Sequence, residues 1–396
     1  MRLYLISVKQ LRWTAGILTG IGVAALGCWL VHYYYCSVAG PYLVRRAYPP
    51  VVFLPQFQKG PPVSAAAAVL LESRSGAVLY AKNPEMRRAP ASTTKIMTAI
   101  VTLEKGNLRE IVRVSRRAAA TGGSTLWLKP GDRLVLKELL EGIMLRSGND
   151  GSMAVAEAVA GSVPDFVRLM NLKAKEIGAL QTNFRNPHGL RAPSHYTTAL
   201  DLALITRYAL EDRRFANLVK TREAALEWFD SARRIDLKNT NRLLWSLQGG
   251  DGVKTGTTNE AGHCLVASAT RDGKQLIAVV LKSGNRWRDC AALLEYGFAN
   301  FSLVKIADPR QKAGWVRVNH KRRRLALYPR HALWAVVEKG RERELHTELV
   351  ILETPVQPPL KAGRTLGRIS YRYQGQLVEG VDLINRAPVS RGWHWW

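Results

Sequence analysis

Cysteine is scarce in this chain of 396 residues, and acidic side chains are outnumbered. Only four cysteines are present. Cys28 and Cys36 fall in or beside an apolar N-terminal stretch. Ala25-Leu26-Gly27-Cys28 makes a poor lipobox, because apolar residues continue past it. Cys264 and Cys290 read more readily as small buried hydrophobes than as a bridge. No cluster of residues has metal-ligand spacing, so neither a metal nor another cofactor is expected. Tandem repeats and low-complexity segments are absent too. Asp and Glu number 31 against 58 Lys and Arg, a formal charge of +27. That excess says nothing about fold, but it predicts attraction to anionic partners. Zinc-finger spacing, an RNP pattern and a basic heptad region are all missing, so nucleic acid is not the expected partner. An anionic membrane or wall polymer remains.

What is present at the N-terminus points to export. Arg2, Lys9 and Arg12 precede an apolar stretch from Ala15 to about Val31. Its length is close to the ~20 residues a bilayer needs. Tyr33, Tyr34 and Tyr35 follow in the manner of an interfacial aromatic belt. Ser37-Val38-Ala39 offers the small residues of a signal-peptide cleavage site. Residues 1–40 fit either a signal peptide or a retained anchor, and both export the remainder. Pro49, Pro50, Pro55, Pro61 and Pro62 mark residues 41–63 as a linker.

Residues 64–301 read as one α+β domain. Ala65–Leu71 and Ala77–Lys82 form a hairpin around Ser73-Arg74-Ser75-Gly76. Helical patterns run from Ser92 to about Asp212. Among them are an amphipathic run over Lys137–Leu145 and helices capped by Ser162 with Asp165 and by Thr198 with Asp201. Strands return at Gly252–Thr258, Cys264–Ala269 and Leu276–Leu281, and a helix follows over Asp289–Phe301. Strands from both ends of the segment, with helices inserted between, predict an antiparallel sheet flanked by helices and carrying a helical lobe. Composition shifts near Ser302. Six short strands then predict a small all-β sandwich over 302–386. A Trp-rich tail over 387–396 closes the chain.

Three short motifs carry chemistry. Ser92-Thr93-Thr94-Lys95 is weak alone, and Ser302-Leu303-Val304-Lys305 repeats its pattern. Ser147-Gly148-Asn149 has a double at Ser283-Gly284-Asn285. Lys254-Thr255-Gly256 occurs once. The weight lies in the ordered set: Ser92 at a helix start, Ser147 and Asn149 between two helices, and Lys254 on a strand before a hairpin. A serine needs a neighbour to take its proton. A lysine three residues on shares its face of the helix. Such a lysine must lose its charge, which burial and a second cation such as Lys254 accomplish. The N–H groups of Ser92 and Thr257 suit an oxyanion hole. Ser147 is placed to relay a proton, Asn149 to hold a substrate amide, and Lys254 with Thr255 to bind a carboxylate. Singly, each of these residues reads as an ordinary surface or turn residue; jointly and in order, they do not.

With Asn186-Pro187-His188-Gly189-Leu190, His195-Tyr196-Thr197-Thr198 and Asp201-Leu202-Ala203, these motifs resemble the D-alanyl-D-alanine carboxypeptidases. Those are low-molecular-mass penicillin-binding proteins of the serine peptidase S11 family, sharing the transpeptidase/β-lactamase-like fold. The resemblance spans residues 64 to 300. It implies removal of the terminal D-alanine from peptidoglycan stem peptides through an acyl-enzyme, and covalent trapping by β-lactam antibiotics. It assigns the family roles to Ser92, Lys95, Ser147, Asn149, Lys254, Thr255 and Gly256. It also implies that Arg286 or Arg288 helps to bind the terminal carboxylate. Arg191 stands where the family often has an acidic residue. Alternatives are a class A β-lactamase, for which no Glu-x-x-Leu-Asn segment is found; an endopeptidase or transpeptidase acting on cross-links; and a catalytically idle wall-binding module.

Overall fold

The computed structural model describes residues 52–53, 60–319 and 324–390. The expected export segment, most of the expected linker and the Trp-rich tail lie outside them. Among the described residues no helix is long and apolar enough to cross a membrane. The chain divides into two compact units. One comprises Pro50–Val304 with Ala335–Glu342, the other Lys305–Trp334 with the segment from Arg343 onward. Composition marks its shift at residue 302, whereas compactness adds Ala335–Glu342 to the first unit.

In the first unit, β1 (Val52–Phe53), β2 (Ala67–Glu72) and β3 (Ala77–Lys82) are followed by a 3-10 turn over Ala91–Thr94 and helix α1 (Lys95–Lys105). A lobe follows: β4 (Ile111–Arg113), α2 (Arg116–Ala119), β5 (Arg133–Val135), α3 (Leu136–Leu145), α4 (Asn149–Ala160) and α5 (Val163–Ile177). Next come α6 (Ala199–Glu211), α7 (Arg213–Lys220), β6 (Glu223–Glu227), β7 (Arg234–Lys238) and α8 (Leu243–Ser246). The chain then re-enters the main sheet through β8 (Gly250–Thr258), β9 (Gly262–Arg271) and β10 (Lys274–Ser283), and α9 (Arg286–Asn300) covers it.

The main sheet has the order β1-β3-β2-β10-β9-β8. Ala67 pairs with Leu281, so the first and last parts of the domain meet in antiparallel register at the sheet centre. Residues 67–71 of β2 and 276–281 of β10 are apolar and buried at every position, because both faces of the sheet are covered there. Strand β1 pairs parallel with β3, so part of the stretch expected as a linker joins the sheet. The short ribbons β4–β5 and β6–β7 were not anticipated; at three to five residues per strand their alternation is too brief to show against helical surroundings.

Helix α1 crosses the core, with Lys95 through Leu103 all buried. Ile96, Met97, Ile100 and Leu103 each contribute about 1.5–3 kcal/mol by burial, and the buried hydroxyls of Thr98 and Thr102 donate to the Pro187 and Thr98 carbonyls. The caps at Ser162 and Thr198 form as the sequence predicts: each hydroxyl accepts the N–H three residues on, from Asp165 and Asp201. Helix α9 begins three residues earlier than expected, because the Asn285 side chain caps it by accepting the Arg288 N–H.

The second unit contains β12 (Gly314–Arg317), β13 (Arg324–Pro329), β15 (Leu345–Ile351), β16 (Thr365–Tyr373) and β17 (Gln376–Ile384) in a sheet of order β12-β13-β17-β16-β15. Leu327, Leu366 and Leu383 centre its core with Val316, Val318, Val356 and Leu360. Strand β11 (Phe301–Ala307), missed in the sequence because α9 runs straight into it, pairs with β14 (Leu333–Glu338).

Candidate active site

The site assembles where the 3-10 turn before α1 meets the loop between α3 and α4 and the edge strand β8. Thr93 Oγ1 closes the turn by donating to the Pro90 carbonyl at 2.7 Å. Ser92 lies within this turn, whereas an α-helix starting at Ser92 was expected. The tighter winding matters, since side chains at i and i+3 eclipse in a 3-10 turn. Lys95 Nζ accordingly sits 3.1 Å from Ser92 Oγ. Strand β8 passes close beside the turn. A Cβ on Gly256 would lie 3.0 Å from both the Pro90 oxygen and the Ser92 nitrogen. Glycine at that position lets the two backbones approach.

Lys95 is fully buried, with no acidic side chain in hydrogen-bond contact. Its Nζ donates to Asn149 Oδ1 and to the His188 carbonyl, both at 2.7 Å. Those two partners can only accept. A neutral amine has two hydrogens and one lone pair. When the amine is neutral, the two acceptors take its hydrogens and the lone pair is left for the hydroxyl of Ser92, 3.1 Å away. Burial holds the Lys95 pKa well below its ordinary value; the nearby Lys254 lowers it further, and Asp150 works the other way. Lys254, also buried, is itself pushed down to about 7, first by burial and then by Arg286. Burial therefore outranks the second cation, which the sequence argument had placed alongside it.

The α3–α4 loop supplies Ser147 and Asn149. Ser147 adopts φ +72, and its buried Oγ makes no hydrogen bond. Asn149, the first residue of α4, is held at both ends: its Nδ2 donates to the Gly122 carbonyl at 2.7 Å while its Oδ1 receives Lys95. The sequence expectation gave Asn149 to a substrate amide; in the structure its Oδ1 accepts from the lysine. Asp150 fixes the facing loop by accepting the N–H groups of Leu126 and Leu128.

On β8, Lys254, Thr255 and Gly256 pair with Val266, Leu265 and Cys264, and Thr257 is exposed at the strand's end. Arg286 reaches across to this strand. Its Nη1 donates to the Gly256 carbonyl at 2.9 Å and to Thr257 Oγ1 at 2.7 Å. Arg288 is exposed and serves the helix cap through its backbone. The structure thus brings Arg286, not Arg288, to the site. The look-alike motifs resolve as structural. Ser283 Oγ donates to Asp289 at 2.7 Å, Asn285 is a cap, and Ser302 and Lys305 lie on a strand bonded to Glu342 and Asp308. Cys264 and Cys290 are buried free thiols.

Sequence reasoning gave no role to the Asn186–Leu190 turn. Asn186 Oδ1 accepts the Gly189 N–H at 2.7 Å, and its Nδ2 donates to the Leu190 carbonyl, an Asx turn that aims the His188 carbonyl at Lys95. Gly189 adopts φ +92, and a Cβ there would lie 1.8 Å from the Ala91 oxygen. The Asn-Pro-His-Gly spelling was the available signal. His188 and His195 stay neutral: burial, helped by Lys95, lowers the first to about 3, and burial lowers the second to about 4. His195 Nδ1 accepts the Arg185 N–H, so its Nε2 carries the hydrogen toward Thr94 Oγ1 at 2.9 Å.

Comparison with known proteins agrees with this geometry. A family model described as D-alanyl-D-alanine carboxypeptidase matches residues 55–285. A second, described as the C-terminal domain of penicillin-binding protein 5, matches residues 301–391. The D-alanyl-D-alanine carboxypeptidase DacF of Bacillus subtilis is 35% identical over 79% of this chain and 83% of its own length. DacC of Escherichia coli is 35% identical over 85% of this chain and 87% of its own. The structure of penicillin-binding protein 5 from Haemophilus influenzae superposes with a TM-score of 0.75 at 30% identity, covering 84% of this chain and 99% of that one. In sequence and in fold, the chain belongs to the D-alanyl-D-alanine carboxypeptidase family of serine peptidases.

Proposed function

We propose that this protein removes the terminal D-alanine from peptidoglycan stem peptides through an acyl-enzyme on Ser92. The observation that carries the reading is the bonding of Lys95: two acceptor-only partners, no carboxylate contact, and a hydroxyl at the third position. Ser92 Oγ attacks the carbonyl of the scissile peptide bond while its proton passes to the neutral Lys95. The oxyanion falls between the N–H groups of Ser92 and Thr257, each such donor being worth about 3 kcal/mol. As the C–N bond breaks, the leaving D-alanine nitrogen takes up a proton that Lys95 gives back through Ser147, whose Oγ has no competing bond. Water then hydrolyses the ester. Lys254, Thr255 and Arg286 supply positive charge and a hydroxyl for the terminal carboxylate, which favours cleavage at a chain end. A β-lactam enters the same path and stays on Ser92.

The test is mass spectrometry after benzylpenicillin, with D-alanine release from a pentapeptide measured in parallel. One adduct, mapped to Ser92 and absent from Ser92→Ala, is expected; an adduct elsewhere, or rapid penicillin turnover, refutes the reading. Action outside the cytoplasm follows from the substrate and from the N-terminal export signals. The +27 charge supports binding to anionic lipid or wall polymer. Binding to anionic vesicles should weaken as salt rises, and salt-insensitive binding counts against it.

A further inference from the structure

Thr240 has no part in the chemistry above, yet its hydroxyl lies 2.8 Å from the hydroxyl of Thr255. Two buried asparagines hold it there. Asn239 Nδ2 donates to the Thr221 carbonyl at 2.9 Å, and Asn241 Nδ2 donates to the Gly252 carbonyl on β8 at 2.6 Å. The Asn239 side chain also accepts the Asn241 N–H at 2.9 Å, which tightens the segment. The Thr240 N–H donates to the carbonyl of Leu145, the last residue of α3 and two before Ser147. Thr240 is exposed between these anchors, while Thr255 is 7% exposed. Its place in the fold is fixed on both sides of the cleft.

The proton count then matters. Two hydroxyls carry two hydrogens, and their mutual bond uses one. When Thr240 donates to Thr255, the O–H left over is that of Thr255, free to donate outward next to the buried Lys254 and on the strand that Arg286 contacts. Without Thr240, the Thr255 hydroxyl loses the one side-chain hydrogen bond it makes among the described residues. We infer that Thr240 is a positioning residue for recognition of the substrate's terminal carboxylate, acting by fixing the Thr255 hydroxyl. The inference deepens the proposed function and rests on it.

The test compares Thr240→Val and Thr240→Ser with the parent on two probes. Both are D-Ala-D-Ala peptides, one with a free C-terminal carboxylate and one with a C-terminal amide. Loss of a hydrogen bond serving a charged group corresponds to about tenfold or somewhat more. Thr240→Val should raise KM for the carboxylate peptide about tenfold and shrink the carboxylate-over-amide preference by the same factor. Thr240→Ser should restore both. A double cycle with Thr255→Val should be non-additive, since the second change removes what the first one orients. An active parent whose Thr240→Val variant keeps its KM and its preference overturns the inference alone. A parent that releases no D-alanine from either probe overturns the proposed function, and this inference with it.

Discussion

Replacing Asn149 by aspartate tests the neutral-base argument most directly. The change keeps the shape of the side chain and puts a carboxylate oxygen where Asn149 Oδ1 now lies, 2.7 Å from Lys95 Nζ. At an effective dielectric of about 20, a unit charge at that distance stabilises the ammonium by about 6 kcal/mol. That corresponds to about 4 pKa units, and halving it for the cost of burying the new carboxylate leaves about 2. The sign is unambiguous: an opposite charge raises the lysine pKa and enlarges its protonated fraction at neutral pH. Acylation by a fluorescent penicillin should therefore slow at pH 7, by up to about a hundredfold. The rate should recover as pH climbs past the raised pKa. Asn149→Leu provides the control, because it loses both hydrogen bonds of the amide without adding charge and should be slow without alkaline recovery. A pH-rate profile for Asn149→Asp that is not displaced to higher pH than the parent's, or a defect unchanged up to pH 10, would refute the reasoning.

Gly189→Ala should displace the Ala91–Ser92 backbone, given the 1.8 Å approach and the φ of +92; a loss of about 2 kcal/mol or more in thermal unfolding, together with slowed acylation, is the expected pair of results. His195 binds its proton only near pH 4 in the folded protein, against 6.5 ordinarily. The unfolded chain takes up that proton first, so about 3 kcal/mol of stability is present above pH 6.5 and drains away as pH falls toward 4. His195→Gln should flatten the pH dependence of the melting temperature in that window by about one proton. Arg286→Leu removes the guanidinium that bonds Gly256 and Thr257; KM for carboxylate-ended peptides should rise about tenfold or more with a smaller change in kcat, as steady-state kinetics would show.

How far the sequence reached varies with the kind of interaction. The Ser162 and Thr198 caps and the β2–β3 hairpin were legible because each depends on residues a few positions apart. Boundaries were less so. Asn285 caps α9 in a segment that also spells a catalytic look-alike, and only the bond from Ser283 to Asp289 separates the two meanings. The choice between Arg286 and Arg288 was equally closed to inspection. Both follow the same strand, and the helix phase alone decides which one faces β8.

The sequence by itself determined the proposed nucleophile and base, their spacing, and the ordered candidate partners Ser147, Asn149, Lys254 and Thr255, since covalent chemistry demands particular side chains at short separations. Tertiary structure decided the surroundings that suit Lys95 to the proposed role of base. Complete burial, two carbonyl-type acceptors drawn from residues 54 and 93 positions away, and a strand admitted by Gly256 come together only when the chain closes on itself. Desolvation is a property of surroundings, and no local pattern encodes it.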